Sequence, residues 1–464
     1  MKALVARSLF YPLHEWAMKR PTFGYLRELE SSQWWARQEI EDLQSRKLQA
    51  LLDTAWHHCP WHRARLEQAG LSNPGAINDF SIEQLKLLPT MTKAEANENR
   101  EGLHWPKVPG GSQKYNTGGS SGQPLIFYFG RQRQASDAAG RMRARRWWGV
   151  QPGEREVYLW GAPVELNKTD RVKQLRDRAL NQLVLNAFEM SVAAMDEYLD
   201  AIGRYRPHCI YGYASSLALI AAHAENRGVQ LHLPDLKVVC TTGEPLDPQQ
   251  RSLIQSCFQA PVANEFGSRD IGFTAHESPQ GQMLLMSESI VLEVLDPQGN
   301  PVANGELGEA VMTGLCSNAQ PFVRYRTGDM VRLGSAPCSA GRGLHVIEEV
   351  AGRQTDFIVR RDGTIMHALA LIYVVRALDG VAEFRILQHD IDRLTVELVV
   401  NETWNRARQE QEQRLRSEIH RRLDERVDVE ICYLDQIKAE ASGKYRYVVS
   451  QVAIPTAEST TSAS

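Results

Sequence analysis

The sequence predicts an α/β protein: a large N-terminal domain of layered α/β sheets with an antiparallel subdomain, then a small C-terminal α+β domain. Three observations predict this. Between Val157 and Thr241 short apolar runs alternate with amphipathic helices, the pattern of a mainly parallel sheet covered on both faces. From Met283 the texture changes to strands separated by tight turns. Beyond Gly352 strands and a long charged helix recur, enough for a second, smaller core. A chain of 464 residues is long enough to fill two such bodies.

The elements follow in order. Residues 1–92 read as a helical region, with Leu43, Leu48, Leu51, Leu52 and Trp56 on one helical face between Ser32 and about Ala69. Within it, His57-His58-Cys59-Pro60-Trp61-His62 has the composition of a metal site. Pro60 breaks the helix between the candidate ligands and adjacent histidines diverge, so a helix–turn–helix corner is favoured. Thr92 caps the next helix. Arg141 to Trp148 is basic and aromatic, and a snorkelling helix face is favoured over an anion site. Strands are expected at Val157–Trp160, Cys209–Gly212 and Leu236–Thr241, and helices at Ala193–Tyr205 and Ser215–Arg227; Pro245 is a candidate start for the following helix. The antiparallel subdomain spans 283–352, with a turn at Asp296–Asn300. In the C-terminal domain, 353–454, Leu415, Ile419 and Leu423 mark the apolar stripe of a helix over about Arg406–Arg426. Residues 455–464, rich in Thr, Ser and Ala, read as a disordered tail.

Composition narrows the function. Lys+Arg 53 against Asp+Glu 56 gives a net charge of −3, which offers no general attraction for nucleic acid or anionic membrane, so small-molecule partners are expected. Seven cysteines without a CxxC pair point to reduced thiols and a cytoplasmic setting. Neither a secretory signal nor an apolar run of spanning length is visible.

The stretch with the most chemical content is Tyr115-Asn116-Thr117-Gly118-Gly119-Ser120-Ser121-Gly122-Gln123-Pro124, which runs into the apolar Leu125-Ile126-Phe127-Tyr128. Glycines let backbone approach a polyphosphate, and Thr117, Ser120 and Ser121 add hydroxyl donors. By itself it reads more readily as a flexible linker, since it lacks the Gly-Lys-Ser/Thr ending of a P-loop. Four more segments follow in order: Glu265-Phe266-Gly267-Ser268-Arg269-Asp270, Arg324-Tyr325-Arg326-Thr327-Gly328-Asp329, Gly352-Arg353-Gln354-Thr355-Asp356 and Ser442-Gly443-Lys444. Each is weak alone; the ordered set is specific. It resembles the adenylate-forming superfamily, and within it the phenylacetate–CoA ligase family, especially the capsule-biosynthesis (CapK-type) branch. The resemblance runs over nearly the whole chain.

That resemblance implies the adenylate-forming fold with a mobile C-terminal domain, and a reaction of carboxylate with ATP to acyl-AMP and pyrophosphate. The acyl group then passes to coenzyme A. It implies ATP and Mg²⁺ as requirements, a small carboxylic acid as partner, and admits a homodimer. By position, Thr117, Gly118, Gly119, Ser120, Ser121 and Gly122 would hold the β- and γ-phosphates. Asp270 stands where relatives have a Mg²⁺-holding Glu, one methylene longer, and Phe266, Gly267 and Ser268 would border the nucleotide. Asp329 would hold the ribose hydroxyls and Arg353 a further part of the nucleotide. Thr355 and Asp356 mark the hinge, and Lys444 would reach the α-phosphate and carboxylate. Glu244 falls in the adenine and acyl lining; Tyr211 and Tyr213 border the acyl group. Relatives carry a Cys/His zinc site in the antiparallel subdomain, of which only Cys338 remains with His276 nearby, so no structural zinc is expected. Two other readings share the fold: transfer to an amine or hydroxyl without coenzyme A, and a catalytically silent scaffold.

Overall fold

The computed structural model describes residues 2–116, 125–160, 168–187, 190, 192–353, 357–361, 365–367, 369–437 and 447–452. Its strands are β1 (Ser112–Asn116), β2 (Ile126–Gly130), β3 (Glu156–Trp160), β4 (Gln182–Asn186), β5 (Cys209–Tyr213), β6 (Val238–Thr242), β7 (Val262–Ser268), β8 (Gly272–Glu277), β9 (Met283–Leu285), β10 (Ile290–Leu295), β11 (Leu307–Gly314), β12 (Tyr325–Leu333) and β13 (Val346–Arg353) in the large domain. In the small one they are β14 (Phe357–Val359), β15 (Ile365–His367), β16 (Val381–Asp390), β17 (Arg393–Val400), β18 (Asp428–Tyr433) and β19 (Val448–Ser450).

Among the described residues the large domain is organised on one sheet of eleven strands, ordered β10-β11-β12-β13-β9-β8-β7-β6-β5-β3-β4. β4, β3, β5, β6 and β7 pair in parallel; β7 onto β8 and every pair beyond is antiparallel. The antiparallel strands are thus present, and they extend the parallel sheet instead of standing apart from it. The change of direction comes at the Arg269–Ile271 turn, before Met283, because β8 returns directly alongside β7.

The parallel strands read as uninterrupted apolar runs because both faces are covered. On one face Val157, Leu159, Ile210 and Val239 pack under the Val192–Tyr205, Ala214–Asn226 and Pro248–Phe258 helices. On the other, Cys209, Tyr211, Val238, Cys240 and Ala263 form a second layer with Val150, and the Arg131–Trp147 helix lies on that side. The Pro248 helix starts three residues later than Pro245 would have it, with Asp247 capping the amides of Gln249 and Gln250, both at 2.9 Å.

The N-terminal helices are Thr22–Ser32, Arg37–His58 and Pro60–Gln68. Residues 33–36 are not helical, so the long helix begins later than Ser32. Its buried stripe of Leu48, Leu51, Leu52 and Trp56 packs on Leu66, Phe80, Leu85 and Val323. The chain turns at Cys59 with Pro60 as the first residue of the next helix. The three histidines there go separate ways: His57 bonds to the Asp53 carbonyl at 2.9 Å, His58 stacks on Trp105 at 3.8 Å, and His62 bonds to the Pro321 carbonyl at 2.8 Å. This is the expected corner. Thr92 caps as expected, accepting from the Glu95 amide.

The Arg131–Trp147 helix corrects the sequence reading. Two of its arginines do not snorkel: Arg143 is fully buried against the equally buried Glu288, and Arg145 is buried against Glu156, while Arg146 is exposed as expected. A buried guanidinium needs a carboxylate, and Glu288 lies 145 residues away, beyond the reach of local pattern reading.

The small domain has its own core. Its sheet runs β18-β17-β16-β19, and the Arg408–Arg422 helix lays Leu415, Ile419 and the following Leu423 on it beside Phe384, Ile386, Leu394 and Val396. Each such side chain contributes about 1.5–3 kcal/mol by leaving water. The predicted tail, 455–464, lies outside the described residues.

Candidate active site

In an open α/β sheet ligands collect beyond the carboxyl ends of the parallel strands, and the β7–β8 turn lies there. Asp270 sits on it. One carboxylate oxygen accepts the Ile271 amide at 3.2 Å and the other accepts the Tyr325 hydroxyl at 2.9 Å. Ser268 Oγ also accepts from the Ile271 amide, at 3.2 Å. The glycines allow the hairpin to close: a Cβ on Gly267 would lie 2.6 Å from the Gly272 carbonyl oxygen, and Gly272, at φ +109°, would carry a Cβ 2.5 Å from the Asp137 carboxylate. Asp137 accepts the Phe273 amide at 3.2 Å and so holds the start of β8. Phe266 is half-buried against the core that contains Ile271 and Tyr325.

Arg133 connects this turn to strand β2, which follows the glycine-rich segment. Its guanidinium donates to the carbonyls of Arg269 and Asp270 and lies 5.6 Å and 5.4 Å from the ring centroids of Phe127 and Phe129 in β2. Strands β1 and β2 form an antiparallel hairpin whose last pair is Asn116 and Ile126. The strand expected after the loop is therefore present. Thr117, Gly118, Gly119, Ser120, Ser121 and Gly122 join those two ends and lie outside the described residues.

The Arg324–Asp329 segment opens β12. Arg324, at φ +52°, makes a bidentate pair with Glu293 at 2.9 and 2.8 Å, and Arg326 pairs with Glu309. Both arginines are thus committed to shaping the segment. Asp329 is buried; its amide donates to Thr327 Oγ1 at 3.1 Å, and it faces Arg353 of β13 across the ladder. Of Arg353 the structure describes the backbone alone; Thr355, Asp356 and Lys444 lie outside the described residues.

Tyr211 and Tyr213 end β5 and both stack on Trp160, at 5.7 and 4.5 Å between centroids. The Tyr211 hydroxyl donates to Glu265 at 2.9 Å, Thr242 donates to the same oxygen at 3.0 Å, and the Arg141 guanidinium lies 3.6 Å away. Burial, reinforced by the Glu265 charge, pushes the Tyr211 phenol well above its ordinary range, so it stays a donor. Beside this network is a cavity of about 410 Å³; Tyr211 lines it and Tyr213 does not. Glu244 accepts the Ser215 amide at 2.9 Å and thereby caps the Ala214–Asn226 helix.

Sequence reasoning missed Arg133, Arg141 and Glu265 as members of the site. Glu265 stood inside a quoted motif and Arg141 opened the basic, aromatic run that was weighed as an anion site and set aside; Arg133 stood in neither, and nothing in its spacing announces it. Of the two residues weighed for zinc, Cys338 is buried in an apolar cluster with Leu284, Leu344 and Val346, and His276 donates to the Glu277 carbonyl at 2.8 Å. Among the described residues no three His, Cys, Asp or Glu side chains are grouped to hold a metal ion.

Residues 358–451 match the family model described as the CapK C-terminal domain. The chain is 23% identical to protein CapK of Staphylococcus aureus over 376 residues, covering 80% of this chain and 82% of CapK. It is 21% identical to the phenylacetate–coenzyme A ligase of Aromatoleum evansii over 449 residues, 94% and 99% of the two chains. Its structure resembles 2-hydroxyisobutyryl-CoA ligase in complex with 2-HIB-AMP, with a TM-score of 0.69 at 21% identity over 90% of this chain and 91% of that one. The resemblance read from the motifs is borne out: this chain has the fold of the adenylate-forming ligases, with CapK and the phenylacetate–CoA ligases among its relatives.

Proposed function

We propose that this protein uses ATP to convert a carboxylic acid into its acyl-AMP, releasing pyrophosphate, and then passes the acyl group to coenzyme A. The observation that carries this reading is the hydrogen bond from Tyr325 to Asp270, which joins two of the five ordered motifs at the carboxyl ends of the parallel strands. Arg133 ties a third to the same point.

The chemical difficulty is electrostatic. A carboxylate oxygen must attack the α-phosphorus of an anionic nucleotide as the bond to the pyrophosphate oxygen breaks, so the site has to offset charge and align the reactants. In this reading the amides and hydroxyls of Thr117–Gly122 hold the outer phosphates, Asp329 accepts the ribose hydroxyls, Arg353 contacts the nucleotide, and Phe266 and Glu244 border it. Lys444 brings a positive charge to the α-phosphate and the attacking carboxylate. It arrives on the small domain, which we place at 353–454 and which swings about Thr355 and Asp356 between the two half-reactions.

Magnesium fits the residues present. Among the described residues each Asp270 oxygen receives one hydrogen bond, from Ile271 or Tyr325, which leaves acceptor capacity on a hard carboxylate, and Mg²⁺ is commonly held by one or two carboxylates plus substrate phosphates. When bound, it would offset phosphate charge.

Transfer to an amine or hydroxyl is the second reading. The match of residues 358–451 to the CapK C-terminal domain names no acceptor and so leaves this reading open beside the first. Pyrophosphate release with a panel of acids, with and without coenzyme A, tests both. Acid-dependent release with thioester formation is expected; release without a thioester favours the second reading, and no ATP uptake by calorimetry with magnesium overturns both.

A further inference from the structure

The helix over Lys2–Ala17 faces the opposite way from an ordinary surface helix, which turns its apolar stripe to the core and its polar side to water. Here Ala6, Tyr11 and Glu15 are buried, while Leu4, Leu9, Leu13 and Trp16 are 64%, 55%, 53% and 77% exposed, flanked by the exposed Val5 and Phe10. The winding explains the two faces. Over Ala6–Phe10 the helix widens to π-helical turns, so residues five apart align there, and residues three or four apart align in the α-helical turns that follow. By that count Ala6, Tyr11 and Glu15 fall on the inner line, and Leu4, Leu9, Leu13 and Trp16 on the outer one.

The inner line is fastened to the body. Arg7 donates to the Pro152 carbonyl at 3.0 Å, the Tyr11 hydroxyl accepts from Gln182 of β4 at 3.1 Å, and Glu15 accepts from Thr22 and Arg20. Gly153, at φ +86°, lets the helix backbone come so near that a Cβ there would lie 2.8 Å from the Ala3 carbonyl oxygen. The apolar row is thus presented by a docked helix. An exposed apolar row of this kind marks an interaction surface.

Charge decides what covers it. Residues 2–20 contain Lys2, Arg7, Lys19 and Arg20 against one carboxylate, Glu15, which is buried and paired with Arg20. The exposed part of this segment therefore has no acidic side chain, in a chain whose net charge is −3, and Lys19 is exposed three residues beyond Trp16. A second copy laid on the row would bring two surplus-positive surfaces together, which like-charge repulsion disfavours. An anionic lipid surface supplies the opposite charge and an apolar layer that takes such a ridge about 5–10 Å deep. Sixteen helical residues reach about 24 Å, short of the roughly 30 Å hydrocarbon core, and among the described residues no helix is long and apolar enough to cross a membrane. The geometry is that of a helix lying in the surface.

We propose that the Lys2–Ala17 helix docks this protein on an anionic lipid bilayer, with Leu4, Leu9, Leu13 and Trp16 below the headgroups and Lys19 among their phosphates. The docking is independent of which acid or acceptor the site takes.

The test is sedimentation of the full chain with vesicles of phosphatidylcholine alone and of phosphatidylcholine mixed with phosphatidylglycerol. Partitioning to the mixed vesicles should exceed that to the neutral ones by at least about tenfold and weaken as salt is raised. Leu13→Ser combined with Trp16→Ser should weaken it at least about tenfold, and Lys19→Glu should reduce the preference for the anionic vesicles. Thermal melts of these variants should match the unaltered protein, because all three side chains are exposed. No vesicle binding, equal binding to neutral and anionic vesicles, or full binding by both variants overturns the proposal. So does a dimer in sedimentation velocity that Leu13→Ser with Trp16→Ser dissolves while vesicles capture nothing, which would assign the row to a second copy.

Discussion

The Tyr325 hydroxyl donates to the Asp270 carboxylate at 2.9 Å across 55 residues of sequence, and it does so from a fully buried ring. Tyr325 is held by an edge contact with Phe322 at 5.0 Å between centroids, and Phe322 meets Phe127 at 6.1 Å. The base of the glycine hairpin, the β7–β8 turn and the start of β12 thus share one packed wall.

Removing that hydroxyl should loosen Asp270 without unfolding the wall. In Tyr325→Phe the rate of acid-dependent pyrophosphate release should fall about two- to tenfold, the equivalent of one hydrogen bond of about 0.5–1.5 kcal/mol. Asp270→Asn should fall further and require more magnesium for half-maximal rate. A rate unchanged in both variants would remove Asp270 from the site.

Lys444→Ala separates the two half-reactions. Acyl-AMP formation should drop on the order of a hundredfold, as for loss of a charge-stabilising group, while thioester formation from supplied acyl-AMP persists. Undiminished adenylation would withdraw the role given to this lysine.

The Arg143–Glu288 pair predicts a stability cycle. Glu288 also accepts from Ser32 at 2.8 Å, and Arg143 donates to the Leu29 carbonyl at 3.1 Å, so the pair fastens the Thr22–Ser32 helix to the sheet. Arg143→Met leaves a buried carboxylate without its cation and should cost about 3–5 kcal/mol; adding Glu288→Leu should recover much of it. Urea denaturation of the single and double variants reads this directly, and additive losses would contradict it.

His62 predicts a pH dependence. Its Nδ1 accepts from Arg65 at 3.1 Å while Nε2–H donates to the Pro321 carbonyl at 2.8 Å, so the neutral ring satisfies both neighbours. Burial first, and then the Arg65 charge, lower its pKa to about 3. The unfolded chain, with a histidine near 6.5, binds the proton more readily, so the stability from the neutral ring is whole above about pH 6.5 and is lost as pH falls towards about 3. His345, pushed down to about 4 chiefly by burial, adds in the same direction. Thermal melts between pH 7 and pH 4 should show a steeper loss for the unaltered protein than for His62→Gln. Parallel slopes would refute the assignment.

How much could be read in advance varies along the chain. Pro60 announced a helix break because it clashes with the preceding turn wherever it stands. The parallel strands announced themselves because burial on both faces leaves no polar alternation. The Arg141–Trp148 run was misread because its composition is the same whether the charges face water or distant carboxylates. The continuity of the two sheet regions was hidden for a similar reason: β13 joins β9, and β9 joins β8, through backbone hydrogen bonds that any residues can make.

By itself the sequence determined the local elements, the order of the five motifs and hence the family resemblance, since periodicity, capping and motif spacing are properties of neighbouring residues. Only the tertiary structure decided that Tyr325 holds Asp270, that Arg133 binds the turn to strand β2, and that Arg145 is buried against Glu156. Those contacts depend on which remote groups are desolvated together. A buried donor or charge takes whatever acceptor the fold brings to it, and that choice has no local signature.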